Sequence, residues 1–67
     1  MKVINQLGYI RSTVREYSQE QLARIICVSR HTISEIELDK RVPELRTALL
    51  LARALKCPVE DIFFLKE

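Results

Sequence analysis

Four side chains in one short run, Arg30, His31, Ser34 and Glu35, bring four kinds of directional polar group together in this 67-residue chain. A guanidinium donates in a planar fork, imidazole and hydroxyl can each donate or accept, and a carboxylate accepts. If the run is helical, their spacing puts all four on or beside one face. Such a set suits multidentate hydrogen bonding to a planar polar partner better than bond-breaking chemistry. Around it stand Gln19, Ser29, Thr32, Lys40 and Arg41, whose amide, hydroxyls and cations suit oxyanions. The ingredients of catalysis are scarce. His31 is the sole histidine, no phosphate-cradling glycine loop exists, and the cysteines Cys27 and Cys57 have no metal-binding spacing. With His31 they make three soft ligands, short of the four that a structural zinc takes. No enzyme, metal or cofactor is therefore expected, and the thiols read as free cysteines of a reducing compartment.

Composition bounds the rest. At 67 residues, 48% hydrophobic and 30% charged, the chain suits one domain spanning residues 1–67 and excludes a disordered class. One glycine and two prolines exclude collagen-like or low-complexity sequence. The longest purely apolar runs, 48–52 and 62–65, fall far short of the ~20 residues a membrane span needs, and the N-terminus does not resemble a signal peptide. A small soluble cytoplasmic protein is expected, with no membrane partner and no evident small-molecule ligand. The net charge of +2 is modest, but residues 1–34 hold five basic and two acidic groups. Patches matter more than sums for nucleic-acid binding.

Helical periodicity supplies the elements. Leu7, Ile10, Val14 and Tyr17 mark one face of a first helix. Ser18 with Gln21 forms a capping-box pattern opening a second helix, Gln19 to about Ile26, with Leu22, Ile25 and Ile26 inward. Ser29 opens a third, Arg30 to about Leu38, with Ile33 and Ile36 inward. After the loop 39–44, Leu45, Ala48, Leu49, Ala52 and Leu55 trace the buried stripe of a fourth helix. Pro58 begins a short fifth, with Val59, Ile62 and Phe63 as its apolar contacts. The fold class expected is a compact all-α domain of five helices. Lys2-Val3-Ile4 and Phe63-Phe64-Leu65 are β-prone and could pair as a small two-stranded ribbon. The alternative is a frayed N-terminus and a fifth helix that simply ends.

The central feature is two short helices joined by Cys27-Val28-Ser29, spanning about residues 19–38. Ala23 is small where the second helix must approach the third, and Val28, Ile33 and Ile36 lock the two together. This is helix-turn-helix spacing, in which the second helix of the pair enters the DNA major groove. Over residues 5–64 the chain resembles the Cro/C1-type (lambda-repressor-like) helix-turn-helix family. The resemblance rests on Ser18-Gln19-Glu20-Gln21-Leu22-Ala23, on the run from Val28 to Glu37, on Arg41-Val42-Pro43, and on Ala52-Arg53-Ala54-Leu55 with Val59-Glu60-Asp61-Ile62-Phe63. The short length resembles the family's compact stand-alone regulators. Three departures stand out. Cys27 occupies a turn position that is often glycine, Leu38-Asp39 replaces a common Asn-Gly, and the stretch from Arg11 to Ser18 is one residue longer than the usual pattern.

On this scheme Arg30, His31, Ser34 and Glu35 are the candidate base contacts. Arg suits guanine O6 and N7, and Glu35 suits cytosine N4. Ser29 and Thr32 hydroxyls and the Lys40 and Arg41 cations are the candidate phosphate contacts. For Gln19, at the dipole-positive start of the second helix, family resemblance implies the same role. The resemblance also implies an ion pair between Glu37 and Arg11. Leu50 and Ala54, off the inward stripe, with Phe64 and Leu65, suggest an apolar patch for a twofold homodimer. The function expected is a sequence-specific double-stranded DNA-binding transcriptional regulator, a repressor acting on a pseudo-palindromic operator. The alternative is a protein-interaction module, such as an antitoxin subunit, on the same scaffold.

Overall fold

From the N-terminus the chain forms β1 (Lys2–Asn5), α1 (Leu7–Tyr9) running into a π-helical turn (Ile10–Val14), α2 (Gln19–Ile26), α3 (Arg30–Glu37), α4 (Leu45–Leu55), α5 (Val59–Ile62) and β2 (Phe63–Lys66). This is a computed structural model that describes residues 1–67. Hydroxyl caps set where the central helices begin. Ser18 Oγ accepts from the Gln21 amide at 3.0 Å, and Gln21 Oε1 accepts from the Ser18 amide at 2.7 Å, completing the capping box of α2. Ser29 Oγ accepts from the Thr32 amide at 3.1 Å and starts α3.

The helix ends are less conventional. Cys27, Asp39 and Lys56 each take left-handed φ angles of 57–61° just past α2, α3 and α4. At each, the next amide bonds back to a carbonyl in the last turn: Val28 to Ala23, Lys40 to Glu35 and Cys57 to Ala52. That closes helices with an occupied carbonyl, normally with glycine at the left-handed residue. The one glycine, Gly8, is used elsewhere. It lies in α1, where a Cβ would sit 3.2 Å from Glu37 Oε1, so α1 can approach the end of α3 closely.

The first helix differs from the expected regular run. The Arg15 amide bonds to the Ile10 carbonyl at 3.0 Å, a π-type i→i+5 closure. A π turn takes up one residue more than an α turn, and it overlaps the stretch from Arg11 to Ser18. Leu7 and Ile10 remain buried, but the turn rotates Val14 outward to 53% exposure.

Eleven apolar residues form one core, drawn from every helix: Leu7, Leu22, Ile33, Ile36, Leu51, Leu55 and Ile62 are fully buried, with Ile10, Ala23, Ile26 and Ala52 beside them. Each fully buried Leu or Ile contributes about 1.5–3 kcal/mol relative to exposure. Two expectations need correction. Ile25 is 50% exposed, and in α4 the buried stripe runs through Leu51, Ala52 and Leu55, leaving Leu45 76% and Leu49 52% exposed. Eight of the eleven α4 residues are Leu or Ala, so apolar periodicity alone does not single out one face. Contacts with α2 and α5 choose it.

The ribbon forms. β1 and β2 pair antiparallel in the register Val3 to Leu65 and Ile4 to Phe64. Two strands are marginal alone, and this pair is tied to the helices. The Gln6 amide bonds to the Ile62 carbonyl at 2.7 Å, and Asn5 Nδ2 donates to the Ile36 carbonyl at 2.6 Å and to Asp39 Oδ1 at 3.1 Å. β1 thus ends by capping α3. At the far end of α4, Arg15 Nε donates to the Leu55 carbonyl at 2.6 Å and Arg15 Nη2 to the Lys56 carbonyl at 3.2 Å. A cation there also favours the negative end of the α4 dipole.

Candidate nucleic-acid interface

Burial of Ile33 and Ile36 decides which way α3 faces. With those two residues inward, helical geometry turns Arg30, His31, Ser34 and Leu38 outward and Glu35 to one flank. Arg30, His31 and Leu38 are exposed, while Ser34 and Glu35 are partly exposed. The face offers donors, acceptors and one apolar side chain. No buried side-chain polar atom lacks a partner.

Glu35 is the electrostatic centre of one flank. Its Oε1 accepts from Arg41 Nε at 3.0 Å and lies 2.7 Å from Arg41 Nη2, while His31 Nε2 lies 3.3 Å from Oε2. Arg41 comes from the loop after α3 and folds back over the helix to make this pair. His31 and Glu35 stand one turn apart on α3 itself.

A second network runs from the end of α3 to its start. Arg11 Nε lies 2.6 Å from Glu37 Oε2, its Nη2 donates to Glu37 Oε1 at 3.2 Å, and its Nη1 donates to the Tyr17 carbonyl at 2.7 Å. Gln19 Nε2 also donates to Glu37 Oε1, at 3.0 Å. The Gln19 side-chain oxygen then accepts from Arg30 Nε at 3.4 Å. The Arg11 and Glu37 side chains are only 16% and 12% exposed, so the pair is a structural tie between α1 and α3. Through Gln19 it also reaches the first residue of α3. Both oxygens of the buried carboxylate are thereby occupied, which is the condition for burying a charge at tolerable cost.

Comparison with known proteins agrees with this architecture. The helix-turn-helix family model matches residues 14–62, which covers α2 to α5. The chain belongs to the helix-turn-helix family. Its relatives include an uncharacterized HTH-type transcriptional regulator of Bacillus subtilis, YgzD, 41% identical over 51 residues, 76% of this chain and 77% of that protein. An uncharacterized HTH-type transcriptional regulator of Methanocaldococcus jannaschii is 38% identical over 63 residues, 94% of both chains. Another, of Archaeoglobus fulgidus, is 37% identical over 60 residues, covering 81% of this chain and 86% of the relative. As a helix-turn-helix protein it is a DNA-binding regulator and not an enzyme.

In this helix-turn-helix unit the remaining candidates fall in different surroundings. Ser29 Oγ and Thr32 Oγ1 lie 2.9 Å apart, so the α3 cap already engages both hydroxyls. Gln19 is partly buried, with its side chain committed to Glu37 and Arg30, which leaves the backbone amides at the α2 N-terminus as its route to an anion. Lys40 is exposed in the loop beside Arg41. Cys27, exposed at the turn, and Cys57, behind the α4–α5 junction, are free. Burial pushes the Cys57 thiol pKa up, Asp61 adds to that, and Arg15 opposes it. Leu50 and Ala54 pack partly on the core, whereas Phe64 and Leu65 are 37% and 63% exposed on β2. Sequence reasoning misses two contributors: Asn5, which holds the α3 end, and Arg15, which caps α4; Leu38 is 62% exposed on the α3 surface. No helix is long and apolar enough to cross a membrane.

Proposed function

We infer that this protein is a sequence-specific transcriptional repressor that acts in the cytoplasm as a homodimer, with α3 in the DNA major groove at each half of a pseudo-palindromic operator. The observation that carries this reading is the outward face of α3, mostly polar and exposed at Arg30 and His31 while Ile33 and Ile36 are fully buried. Gln19 engages Arg30 only through Nε, so the terminal nitrogens of Arg30 remain for guanine O6 and N7. His31 donates to a base or phosphate, Ser34 bonds in either sense, and Glu35 accepts from cytosine N4. Lys40, Arg41, the Ser29 and Thr32 hydroxyls and the amides at the start of α2 meet phosphates, fixing register without reading sequence. A single module reads few base pairs, and a twofold pair would set two α3 helices about 34 Å apart on one side of the duplex. Apolar Phe64 and Leu65 on β2 and Leu50 and Ala54 on α4 are the residues that serve that pairing.

The division of roles is tested by binding to labelled duplexes across a salt series. Lys40→Ala is expected to weaken binding to all sequences alike and to reduce the log–log salt slope by about 1 for each phosphate no longer neutralised. Arg30→Ala is expected to relax preference at one base pair of each half-site, at a cost of about 1–3 kcal/mol. Equal, sequence-independent losses from both variants would contradict the assignment.

A further inference from the structure

The Glu35–Arg41 pair does more than decorate the flank of α3. A carboxylate at the mouth of a groove lined by phosphates is an electrostatic liability, and a guanidinium held 2.7 Å away neutralises it in the free protein. Yet Arg41 is also a cation beside the DNA-facing surface, and a phosphate competes with Glu35 for the same planar fork of donors. Both side chains are partly solvated, Glu35 26% and Arg41 51% exposed, so the pair is cheap to break, about two- to five-fold in equilibrium terms. The loop that carries Arg41 is anchored at its start, where Asn5 Nδ2 donates to Asp39 Oδ1 at 3.1 Å.

We propose that Glu35 and Arg41 form a specificity gate in which Arg41 leaves Glu35 for a DNA phosphate, so that binding is tighter where a base donor takes over the freed carboxylate. The proposal rests on the DNA-binding reading above. On non-cognate duplex, the Arg41–phosphate interaction forms at the expense of the Arg41–Glu35 pair, and Glu35 is left facing the groove with the neighbouring His31 as its remaining partner at 3.3 Å. Where cytosine presents its N4 amino group, or adenine its N6, the carboxylate is satisfied again. Glu35 thus discriminates chiefly by penalising wrong sites, where the Arg41 pair is given up and no base donor replaces it.

A binding cycle on a fluorescein-labelled mixed-sequence duplex, about two helical turns long and at low salt, tests the exchange. The four proteins are wild type, Glu35→Gln, Arg41→Ala and the double variant, each checked for unchanged helicity. Gln matches Glu in helix propensity, and both sites are on the surface. Exchange predicts that Glu35→Gln tightens non-cognate binding about two- to five-fold, and that Arg41→Ala costs more in the Glu35→Gln background than in wild type by a similar factor. A loss from Arg41→Ala that is equal in both backgrounds, or larger in wild type, means that Arg41 stays on Glu35 as its counter-ion in the complex and overturns the exchange. Failure of folded wild type to bind any duplex would instead overturn the DNA-binding reading and the gate with it. The two failures are therefore distinguishable.

Discussion

Glu37 shows how much one side chain can hold in place. Its carboxylate takes both Arg11 and Gln19, the first from the π turn that continues α1 and the second from α2, and Gln19 in turn meets Arg30. Glu37→Ala would leave a largely buried guanidinium with the Tyr17 carbonyl as its remaining partner. A fully buried pair broken on one side costs about 3–5 kcal/mol, and the residual exposure here places the expected loss at about 2–4 kcal/mol, read as a lower urea midpoint. An unchanged midpoint would mean that the pair is not holding the first helix on α3. The link is legible in the sequence only by family resemblance, because nothing in local spacing joins residue 11 to residue 37. The Arg41–Glu35 pair is not legible at all. Charge type and helical phase place each group near the α3 surface, but a loop side chain folding back depends on the conformation of residues 39–43, which periodicity does not describe.

At the scale of elements, the starts of helices are easier to read than their ends. Ser18, Gln21 and Ser29 are hydrogen-bonding residues at fixed offsets, so α2 and α3 begin where the sequence places them. Their ends rest on left-handed Cys27 and Asp39, and only Asp is a residue type that tolerates that conformation readily. Cys27→Gly should therefore stabilise the fold by about 1 kcal/mol, the relief of Cβ strain exceeding the added entropy of the unfolded chain. The urea midpoint checks it, and a lower midpoint would show that the Cys27 side chain contributes more than its strain costs. The π turn explains why a regular period misreads the first helix. A 3.6-residue repeat carries Leu7 and Ile10 inward correctly, then places Val14 on the wrong side once a wider turn intervenes. In α4 the difficulty is composition, since Leu and Ala around most of the helix leave the buried face to be chosen by α2 and α5.

Across the whole molecule, a radius of gyration of 10.8 Å matches the roughly 11 Å expected of a compact chain this long. So small a core leaves modest stability. The two-stranded ribbon closes the structure from both termini and carries Leu65 outward at 63% exposure. Leu65→Glu should leave the helical core intact, shift sedimentation toward monomer and weaken binding to two-half-site duplexes more than to single half-sites. An unchanged sedimentation mass would remove Leu65 from the self-association surface. The central claim, that paired α3 helices read an operator from adjacent turns of the major groove, is tested most directly by selection from a random duplex library at near-physiological salt. The account predicts enrichment of two inverted half-sites centred about 10 base pairs apart, with the preference at one position lost for Arg30→Ala. Folded protein that binds only in a salt-sensitive way, with no motif enriched, would contradict it.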